Sequence, residues 1–221
     1  MRKLFICLAN SKKYGERCVA GIEIVQKDNG KFGLLLEQEK PKWVRPVTRS
    51  EHGSIPEDWV KEMHLMEVYE VKAHCPCPEG YQKENFFFAA NSFKKLLHIE
   101  EQKAVLERII ETNRPFLFHN RGKAISHERV EAVDHSLVLV RAEQAEVYGK
   151  KHREWQLPKM RIKFLYKNHP YDLPITDIAF LERYQANPSI IEQAEAVYIT
   201  VSLSINVDGW HYKLAAGIIT V

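Results

Sequence analysis

Apolar and polar residues alternate in short runs along most of this 221-residue chain. Lys3 to Ala9 reads as a buried strand, Asn10 to Gly15 as a polar turn, and Arg17 to Val25 as a second strand. Asp28-Asn29-Gly30 is a turn signal, because asparagine and glycine tolerate positive φ. Residues 31–37 and 42–48 follow as strands, and 49–61, with Gly53, Pro56 and Asp58, as a loop or short helical turn. Leu65 to Ala73 predicts a strand ended by Cys75-Pro76-Cys77-Pro78, since proline cannot donate to a ladder. Tyr81 to Ala90 returns as strand, with Phe86-Phe87-Phe88 strongly β-prone. Further on, Phe116 to Phe118 and Ser136 to Glu143 read as strands. In Met160 to Tyr166, Met160, Ile162, Phe164 and Tyr166 face one way and Arg161 and Lys163 the other. Val197 to Ile205 alternates throughout, Val207-Asp208-Gly209 turns the chain, and Tyr212 to Thr220 closes it. A short helix is expected around Phe180 to Tyr184.

One segment breaks the two-residue period. After Asn91-Ser92, Phe93, Leu96, Leu97, Val105, Leu106, Ile109 and Ile110 recur at helical spacing until Pro115, which predicts a core-facing helix. Short strands with frequent turns and a single strong helix describe a mostly β protein of small barrels, not a parallel α/β sheet. The expected organisation is an N-terminal barrel over 1–90, a helical segment over 91–114, and a C-terminal barrel over 115–221 packed on the first.

Composition adds bounds. The chain is 45% hydrophobic and 28% charged, ordinary for a globular protein. No apolar run approaches the ~20 residues that span a bilayer. The apolar stretch Leu4 to Ala9 behind Arg2-Lys3 is too short for a signal peptide, so a cytoplasmic protein without a membrane partner is expected. Four cysteines in a chain this long are read as reduced thiols. Net charge is +3 but uneven: residues 1–50 hold 11 Lys+Arg and 5 Asp+Glu, a balance of +6, and the remainder hold 21 and 24, a balance of −3. A basic N-terminal region points to a phosphate-bearing partner, with chance clustering of surface lysines as the alternative.

Several motifs resemble one known family. Ser11, Cys18-Val19-Ala20-Gly21-Ile22, Trp43-Val44-Arg45-Pro46-Val47 and Gln82-Lys83-Glu84-Asn85 are similar, in order and spacing, to the bacterial dual-OB domain family. So are Met160 to Phe164, Asp172-Leu173-Pro174-Ile175-Thr176-Asp177 and Val201-Ser202-Leu203. The resemblance spans nearly the whole chain. It implies two OB-like barrels and a nucleic-acid or nucleotide-binding role, in the setting of prokaryotic defence systems. The chain departs from the pattern at Phe86, where tryptophan is expected, and in a bulky basic loop at 149–158.

The chemistry is then read residue by residue. Trp43 and Arg45 alternate on one strand and so share a face. Either they stack a base and hold a phosphate, or Trp43 is half-buried and Arg45 pairs with a carboxylate such as Glu84; both readings stay open. Glu84 and Asn85 offer acceptors and donors to a base edge, or brace Arg45. Asp172 and Asp177 read as a metal pair or, with Pro174 between them, as turn chemistry in which Asp177 caps the helix that follows; the cap is favoured. The candidate ligand-binding set is Ser11, Lys12, Trp43, Arg45, Glu84, Asn85, Thr176 and Asp177. Lys150, Lys151, Arg153 and Trp155 interleave base and aromatic, as suits single strands, or form a solvated loop. Gly122-Lys123 is followed by Ala124, which rules out a P-loop, and no Gly-x-Gly pair occurs. His127-Glu128 lacks a zincin's second histidine, and there is no Gly-x-Ser-x-Gly elbow. His74-Cys75-Pro76-Cys77 is a poor zinc knuckle, and Glu101-Gln102-Lys103 reads as a solvated helical face. No metal or cofactor is expected. A non-enzymatic binding module fits best, with a metal-dependent nuclease-like or thiol enzyme, or a protein–protein adaptor, as alternatives.

Overall fold

The computed structural model describes residues 1–13, 15–151 and 158–221. The chain divides into two units, Met1–Ile109 and Ile110–Val221. In the first, β1 (Arg2–Lys13) pairs antiparallel with β2 (Glu16–Gln26), and β2 pairs with β3 (Phe32–Leu34) and β6 (Trp43–Val47). A small hairpin, β4 (Leu36–Glu37) and β5 (Lys40–Pro41), lies between them. After α1 (Glu57–Val60), β7 (Glu67–Pro76) pairs with both β1 and β8 (Asn85–Phe88), and β8 runs parallel to β6. The circuit β1-β2-β6-β8-β7 returns to β1 and closes a five-stranded barrel. Counted within the unit, its strands run 1-2-3-5-4-1, with a helix between the third and fourth. That is an OB barrel.

Its core follows from the two-residue period. Phe5 and Cys7 of β1, Val19 of β2, Val44 of β6, Tyr69, Val71 and Ala73 of β7 and Phe86 of β8 are buried together. Val60 and Met63, from α1 and the turn after it, pack on the same cluster. Asn10 donates from Nδ2 to the carbonyls of Val60 (2.8 Å) and Met63 (2.9 Å), fastening that turn to β1. Small barrels bend sharply, and here a bulge at Leu8 sets Cys7 opposite Gly21. A Cβ on Gly21 would lie 1.9 Å from the Ile6 carbonyl oxygen and 2.9 Å from the Phe5 ring. Gly21→Ala therefore costs about 2–3 kcal/mol or more through overpacking, read as a lower denaturation midpoint.

The second unit repeats the order. β11 (Leu137–Lys150) pairs with β12 (Lys159–Tyr166), which pairs with β13 (His169–Pro174). Helix α4 (Ile178–Ala186) leads to β14 (Val197–Leu203), which pairs with β11 and with β15 (Trp210–Thr220). β13 meets β15 through one parallel bridge, Ile175 to Ala215, backed by the Thr176 amide on the Ala215 carbonyl at 2.9 Å. β10 (Ala124–Ser126) extends β15 at its outer edge, and α3 (His127–Val130) follows it. This is a second OB-like sheet, curled and closed more loosely than the first.

The mostly β, two-barrel expectation holds, and several local readings do not. The segment predicted helical at 91–114 contains strand β9 (Lys94–His98) and a single short helix, α2 (Gln102–Leu106). β9 pairs with residues 67–70 of β7, opposite β1 and ahead of the stretch that β8 covers, with Lys95 bonded to the buried Glu67 carboxylate. The stretch of β7 left open beside β8 outweighed the helical spacing of Phe93, Leu96 and Leu97. β1 runs on through the expected turn at Asn10 to Lys13. β7 runs through Cys75 to Pro76 because a bulge past Ala73 lets Pro76 sit opposite Phe86, with the Cys77 amide bonded to Asn85 instead. Phe116 to Phe118 is no strand: Leu117–His119 is a 3-10 turn, with Phe118 and His119 in the left-handed region at φ 54° and 55°. No helix among the described residues is long and apolar enough to cross a membrane.

Candidate nucleic-acid interface

In the first barrel, Arg45 takes the carboxylate partner that was one of its two readings. Arg45 is 3% exposed and pairs with Glu84 at 3.0 Å. Arg17 pairs with Glu57 at 2.6 Å, Lys3 with Glu23 at 2.5 Å, and Lys42 lies 3.6 Å from Glu23. Asn85 is buried and donates to Gln82 at 3.1 Å. Trp43 is half-buried on the same strand as Arg45. Ser11 is buried on the β1 side of the first hairpin and Lys12 is exposed beside it. Arg45, Glu84 and Asn85 do come together, across the parallel β6–β8 pair, as an internal brace, while Trp43 is paired with Ile22 of β2. Glu57, Glu70 and Glu84 from beyond residue 50 thus take up part of the basic balance of the N-terminal region, and Lys12, Lys27, Lys31, Lys40 and Arg49 stay exposed.

Thr176 and Asp177 lie apart from these, in the second unit. Thr176 ties β13 to β15, its hydroxyl donating to the Ala215 carbonyl at 3.2 Å. Asp177 is 1% exposed. Its Oδ1 accepts from the Phe180 amide at 3.0 Å, capping α4, and its Oδ2 from the Ile218 amide at 2.9 Å. Both carboxylate oxygens are occupied by backbone, so Asp177 is a structural cap and not a surface ligand. Cys75 is exposed and Cys77 half-buried, its thiol pushed up by burial. Among the described residues no three His, Cys, Asp or Glu side chains gather as a metal would need.

The unbalanced charge is on the second barrel. Arg121, Lys123, Lys150 and Arg161 line a cavity of about 270 Å³ with Pro170, Tyr171 and Asp172. Four cations face one carboxylate, and that carboxylate is engaged. Asp172 Oδ1 accepts from Arg161 Nε at 2.8 Å and its Oδ2 from the Tyr148 hydroxyl at 2.8 Å. Lys163 stacks its ammonium over the Tyr148 ring at 4.4 Å. The cleft lies on β12 and β13, the second and third strands of this barrel.

The turn carrying Arg121 and Lys123 is held from below by Lys213. Its side chain is fully buried, and its ammonium donates to the Asn120 carbonyl (2.5 Å), Asn120 Oδ1 (3.2 Å) and the Gly122 carbonyl (2.7 Å). Three donors thus find three acceptors, with the Tyr171 ring 5.0 Å away. Tyr171 accepts from the Leu117 amide and donates to the Asn120 carbonyl. Arg121 stacks on Phe116 at 4.5 Å, and His169 bonds its carbonyl at 3.0 Å. The left-handed Phe118 and His119 just before it cost about 1–3 kcal/mol each, strain that only such bracing sustains. Burial pushes Lys213 down to about 7 from 10.5. Between those values the unfolded chain binds more protons, so stability should rise with pH across that window, by up to about 1.4 kcal/mol per pH unit. Denaturation from pH 7 to 10 checks this: the slope is expected in the native protein and absent in Lys213→Met.

Exposed aromatics stand on β15 where it pairs with β10, the strand that follows the Lys123 turn. Ala124, next to Lys123, is paired with Tyr212, and Ser126 with Trp210. Trp210 is 47% exposed and Tyr212 36%, on the outward side of β15, while His211 and Lys213 point inward and are buried. His127 Nδ1 meets His211 Nε2 at 3.0 Å, and His211 Nδ1 meets the Ser204 carbonyl at 2.9 Å, which fixes the base of this hairpin. Of this site, sequence reasoning held Lys150, the outward face of Arg161 and Lys163, and Asp172 in another role. His152–Leu157, with the expected Arg153 and Trp155, fall outside the described residues.

A family model for the dual OB-containing domain matches residues 3–218. The chain belongs to that family. No protein of curated function matches this dual OB-containing domain. Among solved structures it is similar to a replication protein A heterotrimer bound to ssDNA, at 9% identity and TM-score 0.36, over 92% of this chain and 44% of that one. It is also similar to the tetrameric p202 HIN2 structure, at 9% identity and TM-score 0.27, over 100% of this chain and 92% of that one.

Proposed function

We propose that the protein binds single-stranded nucleic acid through the cleft of its second barrel, as a binding module and not a catalyst. The observation that carries this reading is the set of four cations facing one committed carboxylate; exposed Trp210 and Tyr212 stand on the same barrel, paired with the strand that follows Lys123. OB barrels bind oligonucleotides on the face of their second and third strands and the neighbouring loops, and the cleft lies on β12 and β13. Exposed aromatics stack bases of any sequence, while arginine and lysine track the backbone. The family resemblance supports a prokaryotic defence system as the setting.

Fluorescence anisotropy with single-stranded DNA, single-stranded RNA and duplex DNA tests it. Saturable binding to a single strand is expected, with a log–log salt slope of about −2 to −3 for three or four phosphate contacts at ~0.7 each. Trp210→Ala should weaken that binding by about 1–3 kcal/mol and leave the slope unchanged, because stacking releases no counterions. No binding to any of the three at tens of micromolar protein contradicts the proposal.

A further inference from the structure

We infer that the cleft takes a phosphomonoester, the terminal phosphate of a strand or of a free nucleotide, in preference to an internal phosphodiester; the strand form of this inference rests on the binding role proposed above. Charge and shape both point there. Arg121, Lys123, Lys150 and Arg161 surround one cavity of about 270 Å³. This is smaller than the ~300 Å³ at which pockets for drug-sized ligands begin. Cations that follow a strand are spread along a groove, one near each phosphate; these four converge. Asp172 offsets one of them, which leaves three positive charges around the cavity.

An internal phosphodiester brings one negative charge and two non-bridging oxygens. A monoester brings about −1.5 to −2 at neutral pH and three acceptor oxygens. The second balances the cleft and the first leaves most of it uncompensated. The two guanidiniums are also fixed before any ligand arrives. Arg161 is held on Asp172 through Nε and through Nη2, which donates to the Asp172 carbonyl at 2.6 Å, and Arg121 is stacked on Phe116. Planar forks set in advance suit the several oxygens of a terminal phosphate.

The test compares one oligonucleotide sequence with a 5′-phosphate, a 3′-phosphate or hydroxyls at both ends, with a nucleoside 5′-monophosphate and inorganic phosphate as competitors. One phosphorylated end should bind at least about tenfold more tightly than the hydroxyl form, as an added charge-assisted contact provides. Inorganic phosphate should erase the difference. Lys123→Gln and, separately, Arg121→Gln should remove the preference, in samples shown folded by thermal melting. Equal affinity of all three strands overturns the inference while leaving single-strand binding intact. Binding of the monophosphate with no binding of any strand supports the phosphomonoester site and overturns the strand reading. No binding by any of these ligands overturns both.

Discussion

Replacing Arg121 and Lys123 together by alanine lowers affinity for single-stranded nucleic acid by about 10- to 100-fold, the loss of two charged contacts. The log–log salt slope should flatten by about 1.4, since each phosphate contact on a single strand contributes ~0.7. Both residues ride on the turn that Lys213 and Tyr171 hold, and neither side chain belongs to the core. The fold should therefore survive, and a melting curve beside the titration shows whether it does. Lys12→Ala, on the first barrel's hairpin, should leave both affinity and slope close to the native values. A loss of binding there, with the double variant unaffected, moves the site to the first barrel.

Arg45→Ala should cost about 3–5 kcal/mol of stability, the usual result of stranding a buried charge. The Arg45 and Glu84 side chains are only 4% and 6% exposed, so removing the guanidinium leaves the carboxylate without its partner and without water. Replacing both, as Arg45→Met with Glu84→Leu, should recover most of the loss, because well-packed apolar residues replace buried pairs at little net cost. Urea denaturation of the two variants checks the pattern. At temperatures where Arg45→Ala is folded, its affinity for single strands should equal that of the native chain. A variant that stays as stable as native and binds more weakly identifies Arg45 as a ligand contact.

The fold was readable in the sequence because small barrels alternate in and out with a period of two. β12 and β14 stand almost where Met160 to Tyr166 and Val197 to Ile205 predict them. β9 was not, because a strand that completes an edge is chosen by its neighbour and not by its own period: Leu96 and Leu97 fit a helical stripe until β7 presents an open edge. The site was harder to read for a related reason. Charge along the chain says nothing about pairing: Lys3, Arg17 and Arg45 meet Glu23, Glu57 and Glu84 only once the barrel has closed. The cleft draws Arg121 and Lys123, Lys150, and Arg161 from three separate stretches of the chain. Only the outward alternation of Arg161 and Lys163, and the basic loop that begins at Lys150, were visible beforehand as local signals. Asp177 shows the opposite case, a cap whose position just before Ile178 marks its role directly.

Photo-crosslinking of the intact chain to a single-stranded oligonucleotide, with the adducts located by mass spectrometry, tests the central claim most directly. The account predicts adducts on the second barrel, at residues 121–123, 161–163, 170–172 and 210–212, that disappear as salt rises. Adducts confined to the first barrel around Trp43 would contradict it.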